Sequence, residues 1–344
     1  NALVAEGDAG FEIFDIEACA LGTVVADFSW APAQPWVGLS VEFTDASSGG
    51  VTAWSWNFGD GGTSTESDPS HVYAAAGTYS VELSVTGPTG TDSVTKNITV
   101  AQDPPETPPI EEAGSRQWIL PAAAHSPGAH GTNWVSDVVI HNPAAQPASA
   151  NVYFMKSGQS NPGIGGRLIE IPGETSVALN DVVFDLFGWS NASGAILIGS
   201  EMSLRIASRT YNDASSGTYG QFIPGLSVAT AVATGEVVRL IQLTRSDTFR
   251  TNIGWANPGA TSVNLAIDLV NAQGTSIGSH QTLIPPFGYG QANDILPGNV
   301  DDAMAVVTTN SANAKFFVYA SVVDNSTGDP ILILESENAA DLFI

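Results

Sequence analysis

The stretch SDVVIHNPAAQPASANVYF, beginning at Ser136, returns as TNIGWANPGATSVNLAIDL, beginning at Thr251. Each sets an Asn-Pro turn, Asn142-Pro143 or Asn257-Pro258, between two runs in which apolar and polar residues alternate. Two more landmarks follow in the same order. Ile171-Pro172 and Asn180-Asp181 in IEIPGETSVALNDVV match Ile284-Pro285 and Asn293-Asp294 in TLIPPFGYGQANDIL. LRIASRTYND from Leu204 matches FFVYASVVDN from Phe316. The offsets are 115, 113 and 112 residues, so only small loop changes separate the copies. Such a duplication predicts two similar bodies. Period-two alternation turns one face of each segment inward, and a two-layer antiparallel sandwich is the natural way to bury such faces.

Composition points the same way. Charged residues make up 13% of the 344 residues, against about a quarter in an average soluble domain. Long helices spend Glu, Lys and Arg on their wet faces, whereas this chain is rich in Thr, Ser, Val, Ala and Gly. The fold expected is all-β, with tandem immunoglobulin-like antiparallel sandwiches. The formal charge of −25 repels phosphate backbones, so nucleic acid and anionic membrane surfaces are not expected as partners. No apolar run reaches 18 residues, and no helical membrane span is expected. Cys19 is the one cysteine; it permits no internal disulfide and reads as a small buried side chain.

Five parts are expected. Residues 1–22 are an acidic lead-in that can add a strand, and 23–101 alternate like strands. Residues 102–114, QDPPETPPIEEAG, are a proline-stiffened linker. Residues 115–232 and 233–344 are the two copies, with GTYGQFIPGLSVATAVATGE from Gly217 as the crossover.

Within 23–101, Trp54, Trp56 and Phe58 share one strand face, Gly59-Asp60-Gly61 turns the chain, and Val81, Leu83 and Val85 follow at spacing two. The combination WNFGDG and then HVYAAAGTYSVELSV resembles the PKD family of immunoglobulin-like sandwiches, with Phe28 and Phe43 fitting its earlier core strands. The resemblance implies a non-catalytic spacer or binding module outside the cell. The run WILPAAAHSPGAHGTNWVSDVVIHNP from Trp118, with SRTYN, GTYGQFIPG, FRTNIGWANPG and ASVVDNSTGDPI after it, resembles a recurrent bacterial extracellular module. That resemblance implies location and architecture, and no catalytic set.

Candidate site residues are few. The oxygen-rich DNSTGD places Asp324, Asn325 and Asp329 where Ca2+ can be tested, and Asp60 is a second calcium candidate beside its ordinary reading as a turn former. Trp30 and Trp36, beside Pro32 and Pro35, are the exposed-aromatic candidates for glycan contact, whereas Trp56, Tyr73 and Tyr79 read as core. His125, His130, Asp137 and His141 lie on a loop and strand without zinc-site spacing. Arg205 and Arg209 share a strand face and suit a carboxylate or sugar acid at a domain junction. There is no GxSxG elbow, and no carboxylate pair is flanked by a cleft-forming loop. Phe11, Ile13, Phe14 and Ile16 near one end and Phe343 near the other are apolar groups suited to assembly contacts. Together these features predict a non-catalytic extracellular or cell-surface structural or adhesive protein, self-associating head to tail into a filament. The competing reading is a carbohydrate- or calcium-binding accessory region of a secreted hydrolase.

Overall fold

A computed structural model describes residues 3–7, 10–14, 22–32, 35–101, 115–161, 165–214 and 217–334. The chain divides into two compact units, 1–103 and 104–344. Nearly all regular structure is antiparallel strand, as the alternation predicts.

In the first unit, a three-stranded sheet orders Phe28–Ala31, Ser40–Asp45 and Ser70–Val72. It packs on a four-stranded sheet of Thr63–Ser64, Ala53–Asn57, Gly77–Gly87 and Gly90–Val100. The long hairpin closes through Pro88-Thr89, with Gly87 paired to Gly90. Val81, Leu83 and Val85 point inward at spacing two and meet Ile98, Val100, Phe28, Phe43, Trp56 and Phe58. Trp54, expected on the same face, is only half-buried at its edge and donates Nε1–H to Asp45 Oδ2 at 2.7 Å. Buried polar tips are satisfied. Trp56 Nε1 donates to the Glu66 carbonyl at 2.9 Å, and the Tyr73 hydroxyl donates to the Phe58 carbonyl at 3.1 Å. Gly59 is irreplaceable for two reasons. Its φ is +84°, and a Cβ there would fall 2.8 Å from the Ser80 carbonyl oxygen.

The lead-in forms a hairpin rather than a single strand. Leu3–Gly7 pairs with Gly10–Phe14, so Phe11, Ile13 and Phe14 lie opposite Glu6, Val4 and Leu3. Ile16, Cys19, the 102–114 linker and Phe343 lie outside the described residues.

In the second unit eight strands of one copy correspond to eight of the other among the described residues. The first copy runs Arg116–Pro127, Asn133–His141, Ala148–Lys156, Arg167–Ile171, Ser176–Leu179, Ala192–Ser200, Arg205–Ala214 and Gly217–Pro224. The second runs Val238–Arg245, Phe249–Asn257, Val263–Val270, Ser276–Ile284, Gly288–Ala292, Val300–Thr309, Lys315–Asp324 and Pro330–Ile333. In both, one layer is ordered fourth, third, sixth, first, and the other fifth, second, seventh, eighth; in the first copy the first and second strands also pair, Ser126 opposite Trp134, which joins the two layers into one sheet. In both, the first strand carries a bulge, after Leu120 and after Leu240. The chain crosses between sandwiches at Val228–Thr230, a 3₁₀ turn; Leu226–Ser227 pairs with the first sandwich and Val232–Ala233 with the second.

The repeated Asn-Pro turns show why these residues recur. Asn142 and Asn257 are both fully buried. Asn142 Nδ2 donates to the Gln146 and Ile171 carbonyls at 2.8 and 3.2 Å, and its Oδ1 accepts from Ala144 N–H at 3.0 Å. Asn257 Nδ2 donates to the Thr261 and Pro285 carbonyls at 2.7 and 3.0 Å, and its Oδ1 accepts from Gly259 N–H at 2.9 Å. One buried amide thereby ties together, in each copy, the backbone of two turns.

Candidate functional site

The sequence candidates fall into separate settings. Asp60 closes its turn by accepting from Gly62 N–H at 2.9 Å with one oxygen, and meets His71 Nε2 at 2.8 Å with the other. Burial alone would raise its carboxyl, but the His71 and Gly62 hydrogen bonds outweigh that and hold it low. His71, not singled out in the sequence, stacks on Phe58 with ring centroids 4.2 Å apart. Asp60 therefore orients a ring against the core.

Asp324 caps the hairpin between the last two strands. Its Oδ1 accepts from Ser326 N–H and Thr327 N–H at 2.7 and 3.2 Å and from the Ser326 hydroxyl. Asp329 donates its N–H to Thr327 Oγ1 at 3.1 Å. Asn325 Oδ1 accepts from Arg250 Nη1 at 2.7 Å, so a calcium ion there would compete with a guanidinium for that oxygen. Among the described residues no three His, Cys, Asp or Glu side chains converge as a metal would require.

Trp30 and Trp36 correct the sequence reading, because neither is an exposed platform. Trp30 is half-buried and packs on Phe28 with centroids 6.1 Å apart. Trp36 is drawn in because its segment is tied to the end of the last strand: Ala101 N–H donates to the Pro35 carbonyl at 2.8 Å, and Val37 N–H to the Ala101 carbonyl at 3.0 Å. The arginine reading also shifts. Arg205 and Arg209 are both exposed, and Arg209 lies over the Tyr211 ring and donates to Thr218.

The two copies place different residues at one equivalent position. In the first, His125 Nδ1 meets Asp181 Oδ2 at 2.7 Å, and Asp137 Oδ1 accepts from Asp181 N–H at 2.9 Å. In the second, Arg245 grips Asp294 with Nε and Nη2 at 2.7 and 2.8 Å, and Asn252 Oδ1 accepts from Asp294 N–H at 3.0 Å. Both aspartates sit at positive φ, 40° and 49°. The Asp181 hydrogen bond raises the His125 pKa, and burial opposes this. A raised histidine stabilises the fold fully below its unfolded value of about 6.5 and loses that contribution as pH climbs through the folded value. Thermal melts from acid to alkaline pH should show this loss, worth under about 1 kcal/mol, in the natural chain. His125→Arg should abolish it, since the guanidinium stays charged. Identical pH slopes for the two proteins would refute the assignment.

A cleft of about 450 Å³ lies within the second unit, between its two sandwiches. Trp134, Thr210 and Gln221 line it from the first copy; Arg250, Asn252 and Tyr319 line it from the second. Arg250 is only 8% exposed. The sequence offered one signal for it, a lone cation in the otherwise core-like strand FRTNIGWAN. A depression of equal volume beside Asn151 and Tyr153 has one charged side chain in its lining, the exposed Glu201.

The PKD domain family model matches residues 27–101. Collagenase ColA of Bacillus cereus is 47% identical over 70 residues, 20% of this chain and 7% of that enzyme. Pre-pro-metalloprotease PrtV of Vibrio cholerae is 44% identical over 79 residues, 22% of this chain and 8% of that enzyme. The crystal structure of the PKD1 domain from PrtV shares 36% identity, covers 24% of this chain and 100% of that one, and gives a TM-score of 0.21. The chain thus spans less than a tenth of the curated relatives it matches.

Proposed function

Because residues 27–101 are a PKD domain, we propose that this chain is a non-catalytic accessory region of an extracellular protein. The PKD sandwich serves as a spacer, and the duplicated sandwiches supply the contact surface. The observation that carries this reading is the size of the match. The shared stretch is a small fraction of a collagenase and of a metalloprotease, as an appended module would be. No helix among the described residues is long and apolar enough to cross a membrane. Asp60 and Asp324 are engaged in turn closure, and Asp60 also orients the His71 ring, which suits a scaffold. Self-assembly through Phe11, Ile13, Phe14, Ile16 and Phe343, and calcium at Asp324, Asn325, Asp329 and Asp60, are not needed by this reading.

Co-sedimentation with insoluble collagen and with insoluble polysaccharides tests the contact role. The purified chain should be retained on at least one polymer, and retention should survive removal of 1–103. Equal recovery in the supernatant with every polymer would count against a contact role.

A further inference from the structure

The sheet of Phe249–Asn257, Gly288–Ala292 and Lys315–Asp324 has one face in the core, through Ile253, Trp255, Val318 and Ala320. Its register sets Arg250, Asn252 and Gly254 opposite Val323, Ser321 and Tyr319, and sets Gly254 and Ala256 opposite Gln291 and Tyr289. Paired residues share a face, so a polar set occupies the other side of the sheet. A face of this kind normally meets water. Here it floors the cleft against the first sandwich.

Two features make this floor unusual. The first is charge. The hydrogen-bond partner of the Arg250 guanidinium is the neutral Asn325. Asp294 favours the ionised arginine, but its two carboxylate oxygens are already held by Arg245. Burial disfavours the cation, and among the described residues no carboxylate forms an ion pair with it. The second is a chain of neutral polar groups leading outward. The Tyr289 and Tyr319 hydroxyls are 2.9 Å apart and reach Gln291 Oε1 at 3.3 and 2.8 Å; Gln291 Nε2 donates to Asn293 Oδ1 at 2.6 Å. Gly254 admits this arrangement, since a Cβ there would fall 2.2 Å from the Tyr319 ring. Gln291 and Asn293 are exposed at the mouth, and Trp134 offers an aromatic wall across from them.

We propose that this cleft binds a sugar acid, its carboxylate on Arg250 and its hydroxyls on Asn252, Gln291 and Asn293. A guanidinium presents parallel N–H groups that match a carboxylate. The volume lies within the range of small-ligand sites. The net charge of −25 opposes loosely held anions, so the hydroxyl contacts must contribute to any binding. The proposal is independent of the accessory reading, because an enzyme could equally hold a sugar acid here.

Isothermal titration calorimetry of the full chain with glucuronate and galacturonate tests it, with glucose and acetate as controls. One uronate at least should give a saturable heat, and glucose and acetate should bind at least about tenfold weaker. Arg250→Gln should weaken uronate binding about thirty-fold or more. Arg250→Lys should recover only part of it, because a point charge lacks the fork. Asn293→Ala, at the exposed mouth, should weaken binding several-fold without changing the melting temperature, which covers failure of the Arg250 variants to fold. Absence of saturable binding by either uronate at millimolar concentration would overturn the proposal. So would equal affinity for acetate, or unchanged uronate affinity in a folded Arg250→Gln.

Discussion

Trp56→Ala is expected to remove about 3–5 kcal/mol from the stability of the PKD sandwich. Trp56 is 1% exposed. Its ring centroid lies 5.1 Å from Phe28, 5.6 Å from Phe43 and 6.3 Å from Phe58, so truncation opens a cavity that rigid rings on two sheets cannot refill. The Glu66 carbonyl also loses its indole donor. Total stability of a domain is about 5–15 kcal/mol, so much of the fold's margin would go. Trp56→Phe keeps a ring and should cost about 1–3 kcal/mol, from the smaller ring volume and the lost indole hydrogen bond. Differential scanning calorimetry and urea titration of the full chain would measure both. The transition belonging to 104–344 should stay in place, because its core shares no residue with this one. A loss under about 1 kcal/mol for the alanine variant would show that the aromatic cluster does not hold the sandwich.

Asn142→Ala and Asn257→Ala should each destabilise the second unit by about 2–4 kcal/mol, and by similar amounts. Each substitution leaves two backbone carbonyls and one N–H without their side-chain partner. Alanine can replace none of these bonds, and it leaves a cavity where the fully buried amide sat. Equal costs at positions 115 residues apart would show that the duplication is energetic as well as topological. Chemical denaturation of each variant reads this directly. A negligible effect at one site and a large effect at the other would mean that only one copy depends on its asparagine turn.

The fold was legible because its signals are local. Alternation, the Asn-Pro turns and the WNFGDG segment each act over a few residues, and period two leaves little freedom about which face turns inward. Trp56, Phe58, Val81, Leu83 and Val85 followed from spacing alone. The cleft was not legible, because it is made by register between strands and by the meeting of two sandwiches. Arg250, Gln291 and Tyr319 come from three strands, and nothing in their sequence separation places them together. Period two put Arg205 and Arg209 on one strand face, but could not say that this face is wet while Arg250 is buried. The burial of Trp36 is hidden for the same reason, since backbone bonds between its neighbours Pro35 and Val37 and Ala101 span 64 residues or more of sequence.

We propose that the chain acts by contact and not by chemistry. The most direct test is turnover by the purified full chain of peptide, ester and glycoside substrates, including collagen and uronate-containing polysaccharides, with and without added divalent metals. No turnover above buffer is predicted under any of these conditions. Turnover that scales with protein concentration and persists through repurification would contradict the account.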